Sequence, residues 1–446
     1  MKPSPNMNFS RRTFLKTTTA AVLGFPAIVR AINLNSNLQV ASVGCSGKGY
    51  SDMMEIGSHP KVKFTGFCDV DISKFDRADA KFPGVPHFQD FREMFATLGD
   101  QFDAVHVSTP DHMHAFIAID AMRRGKHLYC QKPLSHTVWE ARQMRLQAAK
   151  SWVITQMGNQ IHSATEYRTA VKLVRDGVIG KIKAVHSWQK NAGNGYTKLT
   201  AAPAASAPVP ESLNWDWWIG VAPMRPYAPD VYHPFKWRDW QEFGEGTLGD
   251  FGCHILDPVF TALELGAPLV VSAENEGLNT QTWPSAETIS YLFPGTRFTT
   301  GATLPLTWYD GGRQPDLALA QLPEGKTLPV AGSLLIGEGG NLVIPHVKMP
   351  ELYPVERFAS YEMEKVPGSS HYHAWVDGAL SGTKTTDSFE YACPLTEVVN
   401  LGNIATRFPG VALEWDAAGL RIPNNLAAEK LLTREYREGW GIEARG

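Results

Sequence analysis

Cysteine is scarce: Cys45, Cys68, Cys130, Cys253 and Cys393 are five in 446 residues, odd in number, widely spaced and without a C-x-x-C pair. A disulfide scaffold is thereby excluded, the thiols read as small buried side chains, and no metal is expected. No long apolar run is present either. The weakly apolar stretch from Thr17 to Val29 is too short, and too rich in Thr, Ala and Gly, for a spanning helix of about 20 residues. Positive charge is also in short supply. The net charge is -3, but the first 31 residues hold five bases (Lys2, Arg11, Arg12, Lys16, Arg30) and no acid. Removing those five from the 42 bases leaves 37 against 45 acids, a body at -8 with no basic run interleaved with aromatics. Nucleic acid is therefore not an expected partner. No repeat of fixed period occurs.

What is present is a composition of 43% hydrophobic, 11% aromatic and 20% charged residues, sufficient for a large core. At roughly 150 residues per domain the length suggests two or three domains, and two is the working number. Ser10-Arg11-Arg12-Thr13-Phe14-Leu15-Lys16, the weakly apolar stretch after it and the small-residue site Val29-Arg30-Ala31 resemble a twin-arginine export signal over residues 1–31. Export to the periplasm, without stable membrane insertion, is the expectation.

From residue 36 short apolar runs alternate with helical segments, the pattern of βαβ units and a parallel sheet. Strands are expected at Leu38 to Val43, Val62 to Cys68, Ala104 to Ser108, His127 to Cys130 and Val153 to Gln156, and helices at Ile72 to Phe82, His112 to Arg124 and Thr137 to Ser151. The character changes near Gly158. Beyond it a helix from Ala164 to Asp176, a strand around Ala184 to Trp188, an Ala/Pro-rich loop from Leu199 to Pro210 and strand-like runs at 269–273, 288–293, 297–303, 333–337 and 341–344 predict an α+β domain on a mostly antiparallel sheet. The expected division is a Rossmann domain over 36–158 and a substrate domain over 159–446.

The first strand runs into Gly44-Cys45-Ser46-Gly47-Lys48-Gly49, a glycine-rich turn before a helix. Glycines let a pyrophosphate approach the backbone, and the helix start supplies amide donors. Gly44, Ser46, Gly47 and Gly49 are thus expected to bind a dinucleotide. Asp69 ends the second strand 25 residues after Gly44, close to the offset of about 20 for the carboxylate that grips an adenosine ribose. An acid there repels a 2′-phosphate, so NAD is expected over NADP.

Three further segments are Thr109-Pro110-Asp111-His112-Met113-His114, Gly125-Lys126-His127-Leu128-Tyr129-Cys130-Gln131-Lys132-Pro133 and Gly246-Thr247-Leu248-Gly249-Asp250-Phe251-Gly252-Cys253-His254. In order and spacing they resemble the Gfo/Idh/MocA family of sugar and polyol oxidoreductases, with its T-P-x-x-x-H, G-K-H-V-x-x-E-K-P and G-x-x-x-D-x-x-x-H patterns. The resemblance covers essentially the whole chain after the signal, with one departure: Gln131 stands where the family usually has Glu. It implies a cofactor site that includes Thr109, Pro110, His114, Gln131 and Lys132. It also implies His254 as acid/base, Asp250 orienting it or binding a neighbouring hydroxyl, and Lys132 polarising the reacting oxygen. Asp250 and His254 are four apart, so on a helix they share a face. Hydride transfer from an alcohol needs such a base and such a cation.

Eleven of the thirteen tryptophans lie after residue 187. Most read as core; Trp237, Arg238, Tyr309 and His162 are candidates for the substrate pocket. The expected function is NAD(P)-dependent oxidation or reduction of a sugar, polyol or glycoside with a retained cofactor. The alternative is glycoside cleavage by transient oxidation and elimination. An antiparallel sheet with a face not committed to its own helices predicts a homo-oligomer.

Overall fold

The computed structural model describes residues 37–191 and 206–442; the segment 1–31 that resembles an export signal and the first part of the Ala/Pro-rich loop lie outside them. The first sheet has six strands: β1 (Leu38–Val43), β2 (Val62–Cys68), β3 (His87–Phe88), β4 (Ala104–Val107), β5 (His127–Cys130) and β6 (Thr155–Met157). Their order is β3-β2-β1-β4-β5-β6 and every pairing is parallel. Helices α1 (Lys48–Gly57), α2 (Asp76–Lys81), α3 (Phe91–Leu98), α4 (Asp111–Arg123) and α5 (Val138–Ser151) connect them. The strands are short apolar runs because helices cover both faces; all four residues of β4 are buried. Register aligns Val43 with Cys68 and Val107, Val107 with Cys130, and Cys130 with Met157. The residues that follow, Gly44, Asp69, Ser108, Gln131 and Gly158, therefore share one sheet edge, and strand order reverses at β1/β4. In such a sheet that crevice is where a dinucleotide binds.

The second region holds helix α6 (Thr165–Arg175), strand β7 (Ile182–Gln189), and helices α7 (Trp215–Ile219) and α8 (Gly246–Leu263). Strands β8 (Val270–Glu276), β9 (Ala286–Pro294), β10 (Thr303–Asp310), β11 (Ala331–Gly337), β12 (Asn341–Pro345) and β13 (Glu351–Tyr353) follow. Helices α9 (His371–Ser381) and α10 (Phe389–Thr406), strand β14 (Leu413–Glu414) and helix α11 (Leu426–Glu429) complete it. The sheet order is β13-β12-β11-β7-β10-β9-β8-β14, mixed and mostly antiparallel, with β7 and β10 the parallel neighbours. Expected fold class and observed architecture agree.

Two differences have clear causes. The run 297–303 is a turn ahead of β10: the Thr299 hydroxyl accepts from the Thr296 amide at 2.8 Å and donates to the Thr296 carbonyl oxygen at 3.1 Å, an alternative to a ladder. The helix expected over Ile72 to Phe82 breaks into a 3-10 turn capped by Asp71 and the short α2.

Among the described residues the two regions share a core. Helix α10 is buried around nearly its whole circumference and packs on α5, α8, β6 and β8. At ~1.5–3 kcal/mol for each fully buried aliphatic side chain, Leu395, Val398, Val399 and Leu401 alone bind the two sheets firmly together. All five cysteines are buried and unpaired.

Candidate active site

Where the first sheet's edge meets α8, a cavity of about 570 Å³ opens, bounded by the glycine turn at one end and by Lys132, Asp250 and His254 at the other. The turn is built for close approach. Gly44 has φ +88°, and a Cβ there would stand 2.4 Å from the Ser108 carbonyl oxygen; one on Gly49 would stand 2.2 Å from that of Gly44. Gly47, at φ +54°, faces open space. Ser46 and Gly47 line the cavity and α1 begins at Lys48, so free amides point toward any anion held there.

Asp69 accepts from the Cys45 amide at 3.0 Å and the Asp71 amide at 3.1 Å, and burial pushes it up to about 6. It lines the cavity beside Val70 and Lys74. Thr109 and Pro110 form the opposite wall. Behind them His114 spans the carbonyl oxygens of Thr109 and Pro133, each at 2.8 Å. Burial holds this imidazole down at about 4, so at neutral pH it has one proton for two acceptors.

Gln131 donates through Nε2 to Asp52 Oδ2 at 2.7 Å. Asp52 is fully buried on α1, where Tyr372 donates at 2.9 Å and Lys48 pairs with it. The carboxylate expected at position 131 from the family pattern is thus replaced by one contributed from α1. An amide at 131 is the side chain that can satisfy it.

Lys132 reaches across to α8, donating Nζ to the Asp250 carbonyl oxygen at 2.6 Å and to its Oδ1 at 2.5 Å. Arg238 Nε lies 3.5 Å from the same carboxylate, with its guanidinium over the rings of Phe235 and Trp237 at 4.4 and 4.2 Å. The partner of His254 Nδ1 is Asn159, not an aspartate. Asn159 donates its own Nδ2 to the Cys253 carbonyl oxygen at 3.2 Å, which fixes its Oδ1 as the acceptor. His254 therefore carries its proton on Nδ1 and leaves the Nε2 lone pair free. Burial, reinforced by Lys132 and His346, holds the imidazole well below its ordinary range, so it is neutral and available as a base.

Of the pocket candidates, Trp237 and Arg238 line the cavity and His162 and Tyr309 do not. Tyr309 follows Trp308, whose side chain is in the main core, so it points to the opposite face of the sheet, where its hydroxyl bonds His186 at 3.0 Å. His162 turns to Asp257 at 2.9 Å. Asn159, Asp52 and His346 escaped sequence reasoning. His346, whose ring lies 5.8 Å from that of His254, is held by the Tyr167 hydroxyl at 2.8 Å.

The end of the cavity beside Asp69 is bordered by the second region. Asn214 donates to the Val70 carbonyl at 2.8 Å, Ile72 to that of Ser212 at 2.9 Å, and His233 bonds Asp71 at 3.0 Å. Trp217, Trp218 and Trp440 complete the wall.

Comparison with known proteins agrees with this geometry. The NAD-binding Rossmann fold of the GFO_IDH_MocA oxidoreductase family matches residues 38–159, and that family's C-terminal alpha/beta domain matches 163–295. A Glycosyl hydrolase family 109 protein 1 from Shewanella sp. (strain ANA-3) is 27% identical over 204 residues, which span 39% of this chain and 44% of that protein. The chain thus matches under half the length of this curated relative. The WlbA dehydrogenase from Bordetella pertussis, in complex with NADH and UDP-GlcNAcA, has the same fold: TM-score 0.60, 15% identity, 86% of this chain and 98% of the other. So does the aldose-aldose oxidoreductase from Caulobacter crescentus complexed with glycerol, at TM-score 0.58, 15% identity, 85% and 100%. With the glycine turn, the carboxylate at the end of β2 and the lysine facing α8 in place, the chain belongs to the Gfo/Idh/MocA oxidoreductase family and carries its NAD-binding Rossmann fold.

Proposed function

We propose that this enzyme moves a hydride between NAD and a sugar, polyol or glycoside, holding its cofactor through redox-neutral cycles. The observation that carries the chemistry is the convergence of neutral His254, oriented by Asn159, with Lys132 in one cavity that begins at the glycine turn. When bound, NAD supplies a reversible hydride acceptor. His254 Nε2 takes the hydroxyl proton as the carbon is oxidised and gives it back on reduction. Lys132 donates to the developing oxyanion, and its tie to Asp250 keeps the ammonium at the cavity wall. Asp250 and Arg238 are placed to bind a neighbouring hydroxyl.

Retention is supported by the segment that crosses the end of β2, where Asn214 and His233 bond Val70 and Asp71, the residues beside Asp69, and by the tryptophans that line the same cavity. It accords with the twin-arginine pattern, since an enzyme exported to the periplasm leaves the cytoplasmic NAD pool behind. Among the described residues no helix is long and apolar enough to cross a membrane. A homo-oligomer through the outer face of the eight-stranded sheet belongs to the same reading, and light scattering at micromolar concentration tests it: a strict monomer contradicts it.

A second reading is favoured by the glycosyl hydrolase relative: the same two groups support transient oxidation, elimination of the glycosidic oxygen, addition of water and reduction. Product identity separates the two. Free sugar and aglycone with unchanged cofactor redox state mean hydrolysis; an oxidised sugar paired with a reduced one means hydride exchange.

A further inference from the structure

Beyond the cavity, α8 continues one turn past His254 to Asp257, and the turn that carries Asn159 continues three residues to His162. The loop entering α10 brings Asp387 to the same point. One ligand atom from each of His162, Asp257 and Asp387 lies within 4.8 Å of the others. His162 Nδ1 is 2.9 and 3.1 Å from the two Asp257 oxygens. Asp387 is 1% exposed, and neither of its carboxylate oxygens has a hydrogen-bond partner. The His371 Nε2, 3.9 Å away, already donates to the Met157 carbonyl oxygen at 2.8 Å, and burial holds that imidazole down at about 4, so it brings no charge to Asp387. Buried carboxylates are paired, protonated or bound to metal, and this one is aimed at another carboxylate and an imidazole.

We infer that His162, Asp257 and Asp387 form a binding site for one divalent transition-metal ion. Ligand atoms 2.0–2.2 Å from an ion and roughly at right angles to each other stand about 3 Å apart, the spacing of His162 and Asp257. Against the effect of burial, Asp257 and Asp387 hold the His162 imidazole up at about 9, so the ion displaces one proton on entry, and the resulting neutral imidazole and two carboxylates balance a charge of two. The imidazole selects against Mg²⁺ and Ca²⁺ and suits Zn²⁺, Co²⁺ or Mn²⁺. The Tyr391 hydroxyl, 2.6 Å from Asp257 Oδ1, and the Thr386 hydroxyl, 3.0 Å from His162 Nε2, orient two of the ligands from outside. The ion would clip three elements together, namely the 160–163 turn, α8 and the start of α10, and so set the separation of Asn159 from His254. No cysteine or histidine spacing announces this site, because its ligands come from three distant segments.

The test uses the full-length enzyme with its cofactor in place, stripped of metal by dialysis against a chelator and titrated with Co²⁺ and with Zn²⁺. The expected result is about one ion per chain by calorimetry, visible Co²⁺ absorption bands, and a thermal midpoint raised by Zn²⁺. Asp387→Asn, which keeps the shape and removes the charge, should weaken binding at least tenfold and abolish the rise. His162→Gln should do the same, and serves if the Asp387 variant does not fold. A wild type that binds neither ion stoichiometrically, or that binds no better than a folded variant, overturns the inference and leaves Asp387 as a protonated acid.

Discussion

Gln131 and Asp52 are joined at 2.7 Å, with the amide of one donating to the buried carboxylate of the other at the floor of the cofactor crevice. Gln131→Glu would face two carboxylates across that distance. Breaking a buried charge-assisted bond costs roughly 1–3 kcal/mol or more, so the variant should show a lower thermal midpoint and weaker cofactor retention. Adding Asp52→Asn should recover part of the loss. If Gln131→Glu is as stable as the parent, the replacement of one carboxylate by the other is not the reason for glutamine here.

His254→Ala should lower turnover about 100- to 10,000-fold, the range for a general acid-base group, while the bound nicotinamide stays at the parent level. Asn159→Asp offers a finer check. A carboxylate on Nδ1 favours the imidazolium, so His254 must shed a proton at higher pH before it can act as a base. The acidic limb of the kcat profile should therefore move upward in pH. An unmoved limb would show that His254 is not the titrating base.

Much of this site was legible in the residues. Glycines after β1, the acid after β2 and the lysine after β5 sit at strand ends, and short apolar runs bounded by turns mark strand ends well. Asn159 was not legible, being a lone amide in a turn whose partner is 95 residues away. Helices α9 and α10 also went unread. Buried almost all round, α10 lacks the polar face that gives a helix its periodic signature. Tyr309 was misplaced by one residue's worth of geometry, since strand neighbours face opposite ways.

Asp69→Ala should lower the nicotinamide that copurifies with the protein and narrow the preference for NAD over NADP, because it removes the carboxylate placed at the end of β2, where a ribose hydroxyl would donate to it and a 2′-phosphate would be repelled. Exchange against added NADP, followed by chromatography of the released nucleotide, reads both effects. Unchanged content and unchanged selectivity would remove Asp69 from the cofactor site.

Asp111 gives a prediction for stability against pH. Burial, with Asp250 adding to it and Arg238 opposing, lifts its carboxyl from 3.8 to about 7. Between those values the folded chain holds a proton that the unfolded chain has released, so stability from this group falls as pH rises toward 7 and is flat above it. Asp111→Asn lacks that decline. Relative to the parent, its urea stability should improve by roughly 1–3 kcal/mol between pH 5 and 7.5, at about 1.4 kcal/mol per pKa unit. Parallel curves for the two proteins would contradict the assignment.

The central claim is that NAD is held through the catalytic cycle rather than drawn from solution. Purified enzyme should be denatured and its released nicotinamide counted, and native enzyme from the same preparation offered glycosides and sugar pairs with no added cofactor. The account predicts about one nicotinamide per chain and sustained turnover without supplementation. Recovery of cofactor-free protein that turns over only with millimolar NAD supplied would contradict it.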